Sequence, residues 1–80
     1  MAKVVVAAPL RAEFAGGAEF EIEAVTVFEL VRELDRLSPG AAAYIEAGVL
    51  VAVDGALVAD WSTSLTRSSE VLLVPHIAGG

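Results

Sequence analysis

The stretch Thr26-Val-Phe-Glu29-Leu30-Val31-Arg32-Glu33-Leu34-Asp-Arg36-Leu37-Ser38-Pro39-Gly40 decides the fold class. Val27, Leu30, Val31, Leu34 and Leu37 recur at helical spacing, with Glu29, Arg32, Glu33 and Arg36 on the opposite side. Thr26 stands three residues before Glu29, the spacing of a capping box, and Val25 and Leu30 fall where a hydrophobic staple would hold the helix entry. At the other end the ring of Pro39 drives Ser38 out of the α region, and Gly40 frees the turn. One amphipathic helix must bury its apolar stripe against another layer, so the flanking segments settle the architecture.

Those segments read as strands. Upstream, Lys3-Val-Val-Val-Ala-Ala8 is a β-branched run ended by Pro9, suited to a central strand buried on both faces. Ala18-Glu-Phe-Glu-Ile-Glu-Ala24 alternates strictly, with Phe20 and Ile22 on one side and Glu19, Glu21 and Glu23 on the other, as a sheet with one solvated face requires. Gly16-Gly17 closes a longish loop between the two, making a hairpin. Downstream, Ala41 to Gly48 carries a weak helical signal. Val49-Leu-Val-Ala-Val53, Asp54-Gly55 and Ala56-Leu-Val58 then form the strongest hairpin signal, because Asp-Gly suits a two-residue type I′ turn. Asp60 to Ser69 reads as polar loop around Trp61 and Leu65. Glu70-Val-Leu-Leu-Val-Pro75 is a last strand of the kind found mid-sheet. Hairpin, helix, hairpin and final strand make an α+β domain over residues 1–75, a mixed sheet of four to five strands with one main helix on one face. Residues 76–80 are expected to be a flexible tail.

Composition narrows the function. Eighty residues, 56% of them hydrophobic, make one domain that buries about 60% of its unfolded surface and has no second domain to wall a deep cleft. No cysteine is present, so there is no disulfide framework, no cysteine-type zinc site and no thiol nucleophile, which fits a reducing cytoplasm. Five Lys and Arg against eleven Asp and Glu give a net charge of −6, which repels phosphate backbones and anionic membranes and matches basic protein surfaces. The longest uncharged runs, such as Ala47 to Val53 and Val71 to Gly80, fall far below the ~20 residues of a membrane span. Arg11 interrupts the apolar stretch after Lys3 before any signal-peptide cleavage pattern.

Enzymatic constellations fail in turn. His76 is the only histidine, which excludes multi-imidazole metal clusters and paired-histidine mechanisms, and no motif selects a serine to partner it. Glu19, Glu21 and Glu23 read as solvated strand surface rather than a cation site. Gly16-Gly17 lacks the following Lys-Ser/Thr of a P-loop and the spacing of a dinucleotide fingerprint.

The carboxyl end remains. Two terminal glycines arise by chance roughly once in 200 chains. Here they follow a strand ended by Pro75, and five extended residues reach roughly 16 Å from the fold. Residues without side chains at the tip let a free carboxylate enter a slot too narrow for any Cβ.

Pro9-Leu10-Arg11 with Gly16-Gly17, Thr26-Val27 with Leu30, Pro39-Gly40, Val51-Ala52-Val53-Asp54-Gly55 and the ending Val71-Leu-Leu-Val-Pro75-His76-Ile77-Ala78-Gly79-Gly80 resemble the MoaD/ThiS sulfur-carrier proteins over nearly the whole chain. The chain departs from the family pattern at His76, where a second proline is common, and at Ser68-Ser69-Glu70, where Gly-Asp is common. The resemblance implies a ubiquitin-like β-grasp fold and a carrier rather than an enzyme, including the small sulfur-donating subunit of a synthase such as molybdopterin synthase. It also implies roles for the last two residues. A carboxylate of pKa near ~3.5 is a poor electrophile, so Gly80 would be adenylated by a ubiquitin-activating-type enzyme and then converted by a sulfurtransferase or desulfurase to a thiocarboxylate. Gly79 would keep the entering tail slender. ATP and magnesium would belong to the activating partner, with no cofactor or metal held by this chain, and sulfur would pass to an acceptor synthase subunit. The same adenylated glycine would serve the alternative, a ubiquitin-like modifier joined through Gly80 to lysines.

Docking is expected on the sheet face that the helix leaves uncovered. A chain so small and apolar cannot hide every large side chain, so some of Phe14, Tyr44, Leu57, Val58 and Trp61 are expected to form a shared exposed patch, with Phe14, Leu57, Trp61, His76 and Ile77 the docking candidates. The acidic balance would steer that patch to basic surface on the partner.

Overall fold

The computed structural model describes residues 1–15 and 17–76. Five strands form one sheet: β1 (Ala2–Val6), β2 (Glu19–Ile22), β3 (Val49–Val53), β4 (Ala56–Val58) and β5 (Glu70–Pro75). Their spatial order is β2-β1-β5-β3-β4. β1 and β5 run parallel at the centre, and every other neighbouring pair is antiparallel. Two helices, α1 (Val27–Leu37) and α2 (Ala41–Gly48), lie between β2 and β3 in the chain. This is the β-grasp arrangement, with the two expected hairpins on either side of the expected helix.

α1 forms for the reasons legible in its ends. Thr26 is extended, and its Oγ1 accepts the Glu29 N–H at 3.2 Å. The Glu29 carboxylate reaches back to the Val25 N–H at 3.4 Å, one residue before the position a capping box would use. Two further N–H groups of the first turn donate to the loop before β5, Val27 to the Thr63 carbonyl and Phe28 to the Trp61 carbonyl. That loop is thereby fastened to the start of the helix. Val27, Leu30, Val31 and Leu34 are buried against the sheet. The staple does not form, because Val25 is 64% exposed while its carbonyl accepts the Leu65 N–H. Leu37 is also exposed, at the last turn where the stripe has run past the sheet.

The Pro39-Gly40 break leads directly into α2. Gly40 takes φ +97°, a conformation that favours glycine, and Asp35 Oδ1 accepts the N–H groups of Gly40 and Ala42 at 3.1 Å each. α2 is thus two turns rather than the single weak turn its composition suggests. Its apolar signal is faint because only Ala41 and Ile45 are fully buried, with Ala42 and Tyr44 packed against the core from its margin. Between β1 and β2 the expected loop contains a 3₁₀ helix, Ala8–Glu13, with Pro9 in its first turn and Leu10 turned into the core. Asp54 and Gly55 both take positive φ, +49° and +87°, the type I′ geometry the Asp-Gly pair predicts.

The core lies between the helices and one face of the sheet, where Ala2, Val4, Val6, Ile22, Val51, Val53, Val71 and Leu73 meet the helical stripe. β5 is central, as expected, but β1, expected to be buried on both faces, is covered on one face only, and so is β5. Their side chains alternate, with Val4, Val6, Val71 and Leu73 inward while Lys3, Val5, Leu72 and Val74 stand on the side that no helix covers. With only one helical layer, a continuous apolar strand run leaves half its residues on an open surface. No described helix is long and apolar enough to cross a membrane.

Candidate functional site

β5 sits at the middle of the sheet, held on one side by β1 and on the other by β3, and its last residue, Pro75, pairs with Val49. The His76 N–H donates to the Gly48 carbonyl at 3.1 Å, which anchors the chain one residue beyond the strand. The tail is therefore issued from the most firmly paired strand of the fold. Around this exit Leu10, Tyr44, Gly48, Val49, Pro75 and His76 line a shallow hollow of about 270 Å³. Gly79 and Gly80, expected to carry the chemistry, and Ile77, expected to dock, lie outside the described residues.

Beside the exit is the open face of the sheet. Register places Leu57, Ala52, Leu72 and Val5 in one row across β4, β3, β5 and β1, and Leu50 pairs with Val74 in the next row toward the tail. Leu57 is 66% exposed and Leu72 37%. At the end remote from the tail the surface turns acidic. Glu21, Lys3 and Glu70 form a row there, with Glu19 beside Val5, and Lys3 Nζ lies 3.7 Å from Glu19 Oε1. Three carboxylates against one ammonium give this border the charge to meet a basic partner.

The residues expected to dock do not all meet. Leu57 belongs to the open face and His76 to the tail exit. Phe14 belongs to neither: it is 3% exposed, with its ring edge-on to Tyr44 at 5.8 Å and to Phe20 at 6.5 Å, which makes it a core residue. It caps the 3₁₀ helix in an extended conformation, and its ring packs inward. Trp61 is half-buried against Phe28, ring centroids 5.7 Å apart, beside the β4 edge. The open-face residues Val5, Leu50, Leu72 and Val74 escaped the sequence reading. They come from the unbroken apolar runs of β1, β3 and β5, half of whose residues face outward because the helices form a single layer.

The family model that describes the ThiS family matches residues 4–80. The chain belongs to the ThiS family. No curated protein matches it by sequence. Solved structures similar to this ThiS-family chain share its fold at low identity. A chain of the BexX/CysO complex from Amycolatopsis orientalis is 19% identical, with a TM-score of 0.85 over 100% of both chains. The small archaeal modifier protein 1 from Methanosarcina acetivorans is 22% identical, with a TM-score of 0.81 over 99% of this chain and 95% of that one. A chain from the complex of subunits 1 and 2 of the molybdopterin-converting factor of Helicobacter pylori is 22% identical, with a TM-score of 0.72 over 99% and 97%. This ThiS-family protein has the β-grasp fold of the MoaD/ThiS carriers, and it is a carrier rather than an enzyme.

Proposed function

We propose that this chain carries sulfur as a thiocarboxylate on Gly80. The observation that carries the reading is the ThiS-family match, which extends from β1 through the Gly79-Gly80 pair. An adenylating partner would join the Gly80 carboxylate to ATP, releasing pyrophosphate and leaving an acyl adenylate. Sulfide-level sulfur attacks that carbonyl, AMP departs with the former carboxylate oxygen, and the product is a terminal C–S⁻. If the donor is a protein persulfide, the first product is an acyl disulfide that a second thiol must cleave. Every sulfur atom and thiol in this scheme comes from partners, since the carrier has no cysteine. The carrier contributes a slender tail on a rigid central strand and a docking face. ATP and magnesium reside in the activating enzyme, and the charged carrier then meets an acceptor synthase subunit. The structural likeness to a component of the BexX/CysO complex and to one of the molybdopterin-converting factor supports a protein partner of this kind, for cysteine, molybdopterin, thiamine or another sulfur-containing product.

The deciding experiment is intact mass after incubation with the activating enzyme, ATP and a sulfur donor. Exchange of one oxygen for one sulfur at the carboxyl end is expected. The likeness to the small archaeal modifier protein 1 favours a second reading, conjugation of Gly80 to lysines. A branched Gly-Gly remnant on other proteins, with no thiocarboxylate, would establish that reading instead. Deleting Gly79 and Gly80 should abolish either activity, and full activity of the truncated chain would leave only a structural subunit.

A further inference from the structure

The two edges of the sheet differ. β2 is guarded by Glu19 and Glu21, charges of the kind that discourage another strand from pairing. β4, Ala56-Leu57-Val58, carries no charge and no proline. Its register exposes hydrogen-bonding groups as well. The two-residue I′ turn makes Val53 and Ala56 the closing hydrogen-bonded pair, so Ala52 and Leu57 form the next, non-bonded pair. The Leu57 N–H and C=O therefore point away from β3 into solvent.

Next to this edge lies a groove of about 680 Å³ on the helix side of the sheet. Val49 and Val58 form part of its floor, and Phe28, 55% exposed, stands with Trp61 as its wall. Among the described residues its charged lining residues are Glu46 and Asp60. The Asp60 carboxyl is held below the usual carboxylate range by the Ser62 hydroxyl and N–H, so its negative charge persists. Val49 also lines the hollow at the tail exit, so groove and exit are contiguous.

We infer that the β4 edge and this groove receive an extended segment of a partner protein that pairs along Leu57, lowers an apolar side chain between Phe28, Trp61 and Val58, and sets Lys or Arg against Glu46 and Asp60. Side chains of a strand alternate between faces, so the apolar and basic residues must stand two apart to enter the same side. A protein gripping here would hold the carrier close to the tail exit, at a place distinct from the open face. The inference does not depend on the chemistry of Gly80, because its test uses no activating enzyme.

The probe is the blocked peptide Thr-Lys-Thr-Leu-Thr-Lys-Thr, titrated into the ¹⁵N-labelled full chain. Saturable shifts are expected at Phe28, Val58 and the indole of Trp61, the sole tryptophan, with slowed exchange of the Leu57 amide and weaker binding as salt rises. The isomer Lys-Thr-Thr-Leu-Thr-Thr-Lys, which puts its charges on the other face, should bind several-fold more weakly. Glu46→Gln should weaken the first peptide about threefold. Leu57→Pro, which removes an N–H the ladder does not use, should abolish binding while β3 shifts are retained. Equal binding of Thr-Glu-Thr-Leu-Thr-Glu-Thr, shifts confined to Val5 and Leu72, or no saturable shift at millimolar peptide would each overturn the inference.

Discussion

Val5 of β1 and Leu72 of β5 stand in register across the parallel pair at the centre of the sheet, on the side away from both helices. The strand that leads to the Gly79-Gly80 end therefore also carries the middle of the exposed apolar row. Under the proposed function docking and delivery would share one rigid element, so a partner seated on Leu72 would fix the direction in which the residues after Pro75 enter its site. Such preorganisation reduces the entropy lost when a tail is captured.

Leu57→Ser tests the open face where it is most exposed. Removing a side chain that is 66% exposed should change folding stability by less than about 0.5 kcal/mol, read from the urea midpoint. Its affinity for the activating enzyme should fall about tenfold, the loss of about 1.4 kcal/mol expected of a central apolar contact. An unchanged affinity, with the same result for Leu72→Ser, would move docking away from this face.

Phe14→Ala should behave in the opposite way. The ring is enclosed by Tyr44 and Phe20, and its loss leaves a cavity costing about 3–5 kcal/mol. For a domain of this size such a loss approaches the whole stability. Denaturant unfolding measures it, and a cost below about 1 kcal/mol would place Phe14 outside the core.

The contrast between these two residues shows what the sequence discloses. Period and turn chemistry are local, so the Thr26 cap, the 3.6-residue stripe of α1 and the Asp54-Gly55 turn are readable in order, and together they imply the sheet. Burial is not local. Phe14 and Leu57 are both large apolar residues in short segments, and only the path of the 3₁₀ helix and the parity of β4 send one inward and the other outward. The same holds for Val5 and Leu72, whose apolar runs fit a strand covered twice or once equally well. What decides is the number of helical layers, a property of the whole chain. The roles proposed for Gly79 and Gly80 rest on family pattern and covalent chemistry rather than on packing.

Asp60 gives the acid side of the stability profile a specific source. Hydrogen bonds from the Ser62 hydroxyl and N–H lower its folded pKa below the ordinary carboxylate value. A depressed folded pKa contributes stability that is present above the unfolded value, about 3.9, and is lost as pH falls through the folded one. Glu33, lowered by its hydrogen bond from Arg36, acts with the same sign and remains in the variant. Asp60→Ala should therefore be less stable than the parent at pH 7, with the gap closing below about pH 4. A gap independent of pH across that range would show that the carboxylate is not its cause.

His76→Pro tests how the tail is anchored. Proline has no N–H, so the bond to the Gly48 carbonyl is lost, while its fixed φ keeps the chain extended and favours the extended conformation Pro75 already holds in β5. Gly48 is exposed, so water replaces the missing donor and the cost should be about 0.5–1 kcal/mol in a thermal melt. Because proline is common at this place among the proteins the chain resembles, thiocarboxylate formation by intact mass should be retained. A large stability loss with activity intact would make the Gly48 bond a structural clamp. A loss of activity with stability intact would give the imidazole itself a role in the partner's site.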